Sequence, residues 1–493
     1  MQYYSTRSNS SPLPGHQAVI RGLSPDGGLY VPEDISLSIS WESLIGKSYS
    51  QIAETILNAF FPDYGAEAVR QCVSAAYDHS FDHEEIVPLK SFRDGSFMEL
   101  WHGPTSAFKD LALTILPHLL TAAYRMDERS DTVAILTATS GDTGKAALSG
   151  FADVPHTDIT VFYPAGGVSA VQRKQMVTSR GNNVTVVAVE GNFDDCQRTV
   201  KEACASDTVK NACRNVTISS ANSINIGRLV PQVVYYFSTY VRLVEKEAIK
   251  PGDPVTFVVP TGNFGDIFAG WLAKQAGLPV GKLVIASNDN NVLTDFIRTG
   301  TYNRKRPFHE TISPSMDILI SSNLERLLYY SCGKNPELTA SLMKQLSEEG
   351  SYTASAEMMD AIRSDFSAFW CDEAMCRAEI RDLFKDEGIL IDPHTAVALS
   401  ALHQYRAAGH REYAVVLSTA SPFKFAQDVL TAIGEPAADD PFDAIRRLSE
   451  VSGMKVPAGL AELESLPERF NTVIPASEGI AWVAAKMKEL SHD

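Results

Sequence analysis

Two segments of this chain bring together residue types that could do chemistry. The first is Leu100-Trp101-His102-Gly103-Pro104-Thr105-Ser106-Ala107-Phe108-Lys109-Asp110, an amine in a loop of small residues with aromatic flanks. Leu111, Ile115 and Leu119 follow at helical spacing, so Lys109 lies near a helix start. A solvated lysine there opposes the helix dipole, which favours anions at that end. A lysine buried by Phe108 and the His102–Thr105 run instead has its pKa lowered, leaving neutral amine available for a Schiff base near pH 7. The second segment, Pro260-Thr261-Gly262-Asn263-Phe264-Gly265-Asp266, joins the apolar run Val255–Val259 to a helical pattern. Gly262 and Gly265 permit backbone angles that turn consecutive N–H groups toward an anion. A lysine able to form an imine and a cradle for phosphate are what a protein needs to hold pyridoxal 5′-phosphate (PLP).

Two further turns have the same strand-to-helix setting. Thr139-Ser140-Gly141-Asp142-Thr143-Gly144-Lys145 fails as a nucleotide P-loop, because Thr139 stands where glycine belongs and Ala146 where the magnesium hydroxyl belongs. A hydroxyl-rich helix N-terminus suits a small carboxylate instead. In Ser418-Thr419-Ala420-Ser421-Pro422, the Thr419 hydroxyl could meet a pyridine nitrogen without protonating it, which favours elimination over transamination. Each segment also has an ordinary structural reading: a snorkelling lysine, a packing glycine, a capped helix, a Ser/Thr turn.

The elements that must position these residues alternate from about residue 131 onward. Strand-like runs are Thr132–Leu136, Ile159–Tyr163, Val184–Val189, Val216–Ser219, Val255–Val259, Leu283–Ala286 and Ala414–Leu417. Helical runs lie between them, among them Val168–Thr178, Cys196–Ser206, Ile226–Glu245 and Asp266–Gln275. This alternation predicts an α/β class with parallel sheet and covering helices. Ligands in such sheets sit beyond the carboxyl ends of the strands, so corners distant in sequence can converge on one cleft. The first 90 or so residues read as an appended cap, turn-rich at Ser24–Gly28 and helical from Trp41 to Ala76; the acidic run Glu435–Pro441 reads as a connector to a C-terminal extension.

A chain of 493 residues exceeds one comfortable core, and a formal charge of −17 argues against a nucleic-acid surface. Seven cysteines without a CxxC pair suit a reduced compartment. Met1–Arg7 lacks the apolar core of a secretory signal, and no run approaches the length of a membrane helix. We expect a cytoplasmic protein with no membrane or nucleic-acid partner and no metal. Monomer and homodimer both remain open.

In order and spacing these segments closely resemble threonine synthase, of the PLP-enzyme group that includes tryptophan synthase β and the serine/threonine dehydratases. The resemblance runs from Tyr4-Ser5-Thr6-Arg7 and Gly22–Pro32 through Phe108-Lys109-Asp110, Thr139–Gly144, Asn222-Ser223-Ile224-Asn225 with Arg228, and Gly262–Asp266. It implies two doubly wound parallel-sheet domains flanking a PLP cleft, with N- and C-terminal extensions. The implied units are 1–95, 96–109 with 236–434 as the PLP-binding domain, a smaller mobile 110–235, and 435–493. By the same resemblance Lys109 is the Schiff-base lysine and proton shuttle. Gly262, Asn263, Phe264 and Asp266 line the phosphate side of the cofactor, and Thr419 faces its nitrogen. Ser140, Asp142 and Thr143 receive the substrate carboxylate, and Arg228 its phosphate. The implied reaction turns O-phospho-L-homoserine and water into L-threonine and phosphate; the alternative is a lyase or dehydratase giving 2-oxobutyrate. Ser106 and Ser421 depart from the family pattern, which usually has leucine and histidine there.

Overall fold

Two parallel sheets form the frame of the molecule. The computed structural model describes residues 1–491 apart from Asp78, Ser140, Arg214 and Ala437, with Asp194, Cys204 and Ala205 described in backbone alone. The larger, six-stranded sheet has the order Phe366–Trp370, Val280–Ser287, Val255–Pro260, Ala414–Ser418, Gly95–Glu99, Leu89–Phe92. All its pairings are parallel except the last, an antiparallel hairpin. The smaller, five-stranded sheet runs Thr472–Pro475, Val184–Glu190, Thr157–Pro164, Thr132–Ala138, Val216–Ser219 and is parallel throughout. It is inserted between the Gly95–Glu99 and Val255–Pro260 strands of its partner, apart from its Thr472–Pro475 edge.

The strand sequences explain this layering. Val255–Pro260 and Thr157–Pro164 are buried at every residue, as expected of parallel strands covered on both faces. Every strand-like run read from the sequence is a strand here, within a few residues at its ends. The run Ile226–Glu245 is interrupted: Pro231 starts a new helix, Pro231–Glu245, after the short turn of helix Ile226–Leu229.

The N-terminal segment is more than a cap. Gln2–Ser5 is the middle strand of a small antiparallel sheet, with Leu13–Pro14 and Tyr30–Pro32 on either side. Tyr3 donates to the Phe60 carbonyl at 2.7 Å, and its ring lies in the same apolar cluster as Val233 and Phe268. Arg7 grips Glu325 with two bonds of 2.8 and 2.7 Å, tying this segment to the helix Leu324–Ser331. At the other end, Thr472–Pro475 pairs with Val184–Glu190, and Trp482 of the helix Gly479–Leu490 packs edge-on against Phe162. The C-terminal segment therefore completes the smaller sheet. Among the described residues no helix is long and apolar enough to cross a membrane, and no cluster of ligating side chains suits a metal.

Candidate functional site

Carboxyl ends of strands from both sheets meet at Lys109. Its loop is zipped onto the corner after Ala414–Ser418: Ala107 and Ala420 form an antiparallel bridge, and Phe108 N–H donates to the Thr419 carbonyl at 2.8 Å. Ser421 N–H donates to the Ser106 carbonyl at 3.1 Å, so the two positions at which the resemblance implies other residues touch each other. Inside the loop, Asp110 accepts from the Thr105 N–H and hydroxyl at 2.8 and 2.6 Å. Gly103 is required there, since a Cβ would come within 2.5 Å of Asp110. Burial pushes the Asp110 carboxyl up to about 6, against the pull of those bonds.

Lys109 immediately precedes the short helix Asp110–Leu113, and its side chain keeps 12% of its exposure. Nζ lies 3.2 Å from Ser315 Oγ, 3.9 Å from Asp142 Oδ2 and 5.7 Å from the centre of the Phe108 ring. Burial, with Lys424 and Arg228 nearby, pushes the amine down to about 8 despite the attraction of Asp142. The sequence expectation of an amine lowered by burial holds, but the loop around it is less apolar than expected. His102 is no part of an apolar wall: it sits between Asp82 (2.7 Å) and Glu99 (2.9 Å), which lift its pKa against the effect of burial. A group raised on folding adds stability below its unfolded value, near pH 6.5, and loses it as pH climbs through the folded value. The stability gap between the wild type and His102→Gln should be widest below about pH 6 and narrow toward pH 9, as thermal unfolding at the two pH values would show. It should stay within about 1 kcal/mol, because Asp82 is half exposed.

Asp142 opens the helix Asp142–Phe151 in the smaller sheet's corner. Thr139 Oγ1 braces this corner, accepting from the N–H groups of Gly141 and Gly144 at 2.9 Å each. The Asp142 carboxylate is taken by Lys424, whose fully buried Nζ lies 2.7 Å from Oδ1 and also donates to the Thr105 carbonyl at 2.9 Å. Burial alone would raise this carboxyl; Lys424 and Lys109 hold it well below the usual range. Thr143 lies beside it in the first helical turn, and Ser140 lies outside the described residues.

On the opposite side, the turn Gly262–Asp266 ends in the helix Gly265–Gln275, whose first amides have no intrahelical acceptor and suit an anion. Neither glycine is left-handed; Phe264 is, at φ +65°, with its ring buried as an anchor. Gly262 is needed for closeness, since a Cβ would stand 2.6 Å from the Ser315 carbonyl. Asn263 uses its carbonyl to accept from Asn323. Asp266 accepts from the hydroxyls of Tyr235 (2.6 Å) and Tyr236 (2.9 Å), and burial pushes it up to about 6.

Arg228 lies in the interior. It is 3% exposed, donates to the Ala221 carbonyl at 2.8 Å, makes no ion pair among the described residues and leaves Nε without a partner. Burial pushes it down to about 10. Lys145, bonded to Ser179 Oγ at 3.1 Å, is pushed down to about 8 mainly by burial. In a chain of net charge −17, Lys109, Lys145, Lys424 and Arg228 form a buried cationic cluster, with Asp110 and Asp142 the acids felt by its lysines among the described residues. Such a cluster is built for anions.

The sequence reading missed Lys424, Ser315, His394 and Asp392. Lys424, between Phe423 and Phe425 just after a hydroxyl-rich corner, offered a signal: a cation flanked by aromatics is set for burial. Ser315 offered none.

The chain matches family models described as pyridoxal-phosphate dependent enzyme over residues 97–421, threonine synthase N terminus over 2–77 and threonine synthase C-terminal over 395–481. It is 37% identical to the threonine synthase of Pseudomonas aeruginosa, with 96% of each chain covered. It is 39% identical to threonine synthase-like 1 of Macaca fascicularis over 85% of its own length but spans only 58% of that relative. The crystal structure of PLP-bound threonine synthase from Brucella melitensis superposes over the full length of both chains with a TM-score of 0.88 at 37% identity.

Proposed function

Because the chain belongs to the threonine synthase family of pyridoxal-phosphate-dependent enzymes, we propose that it converts O-phospho-L-homoserine and water to L-threonine and phosphate. The observation that carries this reading is Arg228, a buried guanidinium with an unused Nε and no ion pair among the described residues. A cation so placed calls for a ligand that arrives with its own negative charge.

The residues fit the coenzyme. The amides that open Gly265–Gln275, beside the close-packed Gly262, would take its phosphate, Lys109 its aldehyde and Thr419 its ring nitrogen. When bound, PLP supplies an aldehyde that joins amines and a conjugated ring that takes up the electrons of a broken C–H bond. Lys109 Nζ, lowered to about 8, can shed a proton near neutrality and then accept one from substrate carbon. Asp142, 3.9 Å away, steadies Nζ once it is charged, and Lys424 keeps that attraction from locking it there. Arg228 orients the substrate phosphate. The N-terminal turn of Asp142–Phe151, with Ser140 and Thr143, receives the carboxylate.

The same reading places the protein in the cytoplasm, supported by its six described and unpaired cysteines. It also divides the chain into 1–95, 96–109 with 236–434, 110–235 and 435–493, with the third unit closing over the cleft; the pairing of Thr472–Pro475 with Val184–Glu190 would carry part of the fourth along. Incubation with O-phospho-L-homoserine should release phosphate and threonine in equal amounts. Phosphate accompanied by 2-oxobutyrate in place of threonine would overturn the synthase reading in favour of a lyase.

A further inference from the structure

We propose that Asp392, His394 and Ser315 form a positioning relay that holds Lys109 Nζ where it meets the coenzyme aldehyde, a role resting on the function just given. Ser315 Oγ lies 3.2 Å from Nζ. Ser315 is itself gripped from two sides. Its carbonyl stands over Gly262, where only a missing side chain leaves room. Its N–H donates to His394 Nε2 at 3.1 Å.

That bond fixes the imidazole. A ring nitrogen that accepts cannot carry the hydrogen, so the hydrogen is on Nδ1, which lies 2.7 Å from Asp392 Oδ1. Asp392 is fully buried and uses both oxygens: Oδ1 also accepts from His394 N–H at 2.9 Å, and Oδ2 accepts from the N–H and hydroxyl of Thr395. Phe425 stands edge-on to the ring at 5.0 Å. Held this way, the imidazole can neither flip nor turn, and it sets the place of Ser315.

The amine needs such a hold. Asp142 attracts Nζ from 3.9 Å while Lys424 and Arg228 repel it, so charge alone would draw it toward the carboxylate. The Ser315 hydroxyl accepts from the ammonium and can donate to the neutral amine, so it keeps Nζ in place through both protonation states. A fixed amine is what condensation requires, because only the rotamer facing the aldehyde reacts.

The amine and the PLP aldehyde condense with loss of one water, giving an adduct read by its absorbance. Pyridoxine 5′-phosphate carries the same phosphate but no aldehyde, and so reports binding alone. Coenzyme-free wild type, Ser315→Ala, His394→Leu and His394→Gln are each mixed with both compounds. We expect Ser315→Ala and His394→Leu to form the adduct about tenfold more slowly, the order of factor one hydrogen bond supplies. His394→Gln keeps an acceptor for the Ser315 N–H and should recover most of the rate, with affinity for pyridoxine 5′-phosphate within twofold throughout. An unchanged rate in Ser315→Ala would overturn the relay. So would a parallel fall in rate and pyridoxine 5′-phosphate affinity, which would mean that these residues only brace the phosphate turn. No adduct in the wild type would instead overturn the coenzyme assignment and the relay with it.

Discussion

Replacing Lys109 with alanine is expected to abolish turnover, by at least about 10⁴-fold, together with the absorbance of the protein–coenzyme adduct. No neighbour can take its place. Lys424 is fully buried and committed to Asp142 and the Thr105 carbonyl. Lys145 is engaged with Ser179. Stability should change little or rise, because the substitution removes a buried amine whose charging burial opposes. A variant that folds as well as the wild type yet neither absorbs nor turns over would fit the assignment. Residual turnover above a hundredth of the wild type would sink it.

Exchanging Lys424 for methionine should be costly in a different way. It leaves the buried Asp142 carboxylate with only Lys109 at 3.9 Å and the Gln172 amide at 3.1 Å, and breaking a buried pair from one side destabilises by up to about 3–5 kcal/mol. It also removes a positive charge that holds the Lys109 amine down, leaving only burial and Arg228 to oppose the attraction of Asp142. The Lys109 pKa should then rise above about 8. A higher value leaves less neutral amine near pH 7, so the rate should fall there and recover as pH rises. Adding Asp142→Asn removes the stranded charge and should restore much of the lost stability, since the two residues touch and their effects cannot add. Urea unfolding of the two single variants and the double one checks the first claim, and pH–rate profiles check the second. A Lys424→Met protein with wild-type stability would show that the ion pair contributes nothing.

What could be read in the sequence follows from how local each signal is. Val255–Val259 and Val184–Val189 stand out because strands covered on both faces must be continuously apolar. Gly95–Glu99 offers only Phe97 and Met98 as apolar residues and becomes a strand because Ala414–Ser418 and Leu89–Phe92 hold it between them. Phe366–Trp370 follows the helix Ala356–Asp365 with no glycine or proline to mark the change. At the site, Lys109 and the three corners were legible because each turn announces itself within a few residues. Ser315 was not, since it reaches Lys109 only through folding across 206 residues. Asp392-Pro393-His394-Thr395 reads as an ordinary helix cap, and it is one; nothing local reveals that the histidine's far nitrogen also grips Ser315. The left-handed Phe264 was hidden for a similar reason, as the two glycines beside it looked better suited to that conformation.

The pairing of Thr472–Pro475 with Val184–Glu190 also bears on how the molecule is made. During synthesis the inner strands of that layer emerge early, but their last neighbour leaves the ribosome only after the whole of the other layer. Until then Val184–Glu190 offers a bare row of amides and carbonyls, the kind of template on which chains join by mistake. Nascent polypeptides and fragments cut short before residue 472 share that hazard, and they would be natural clients for a chaperone.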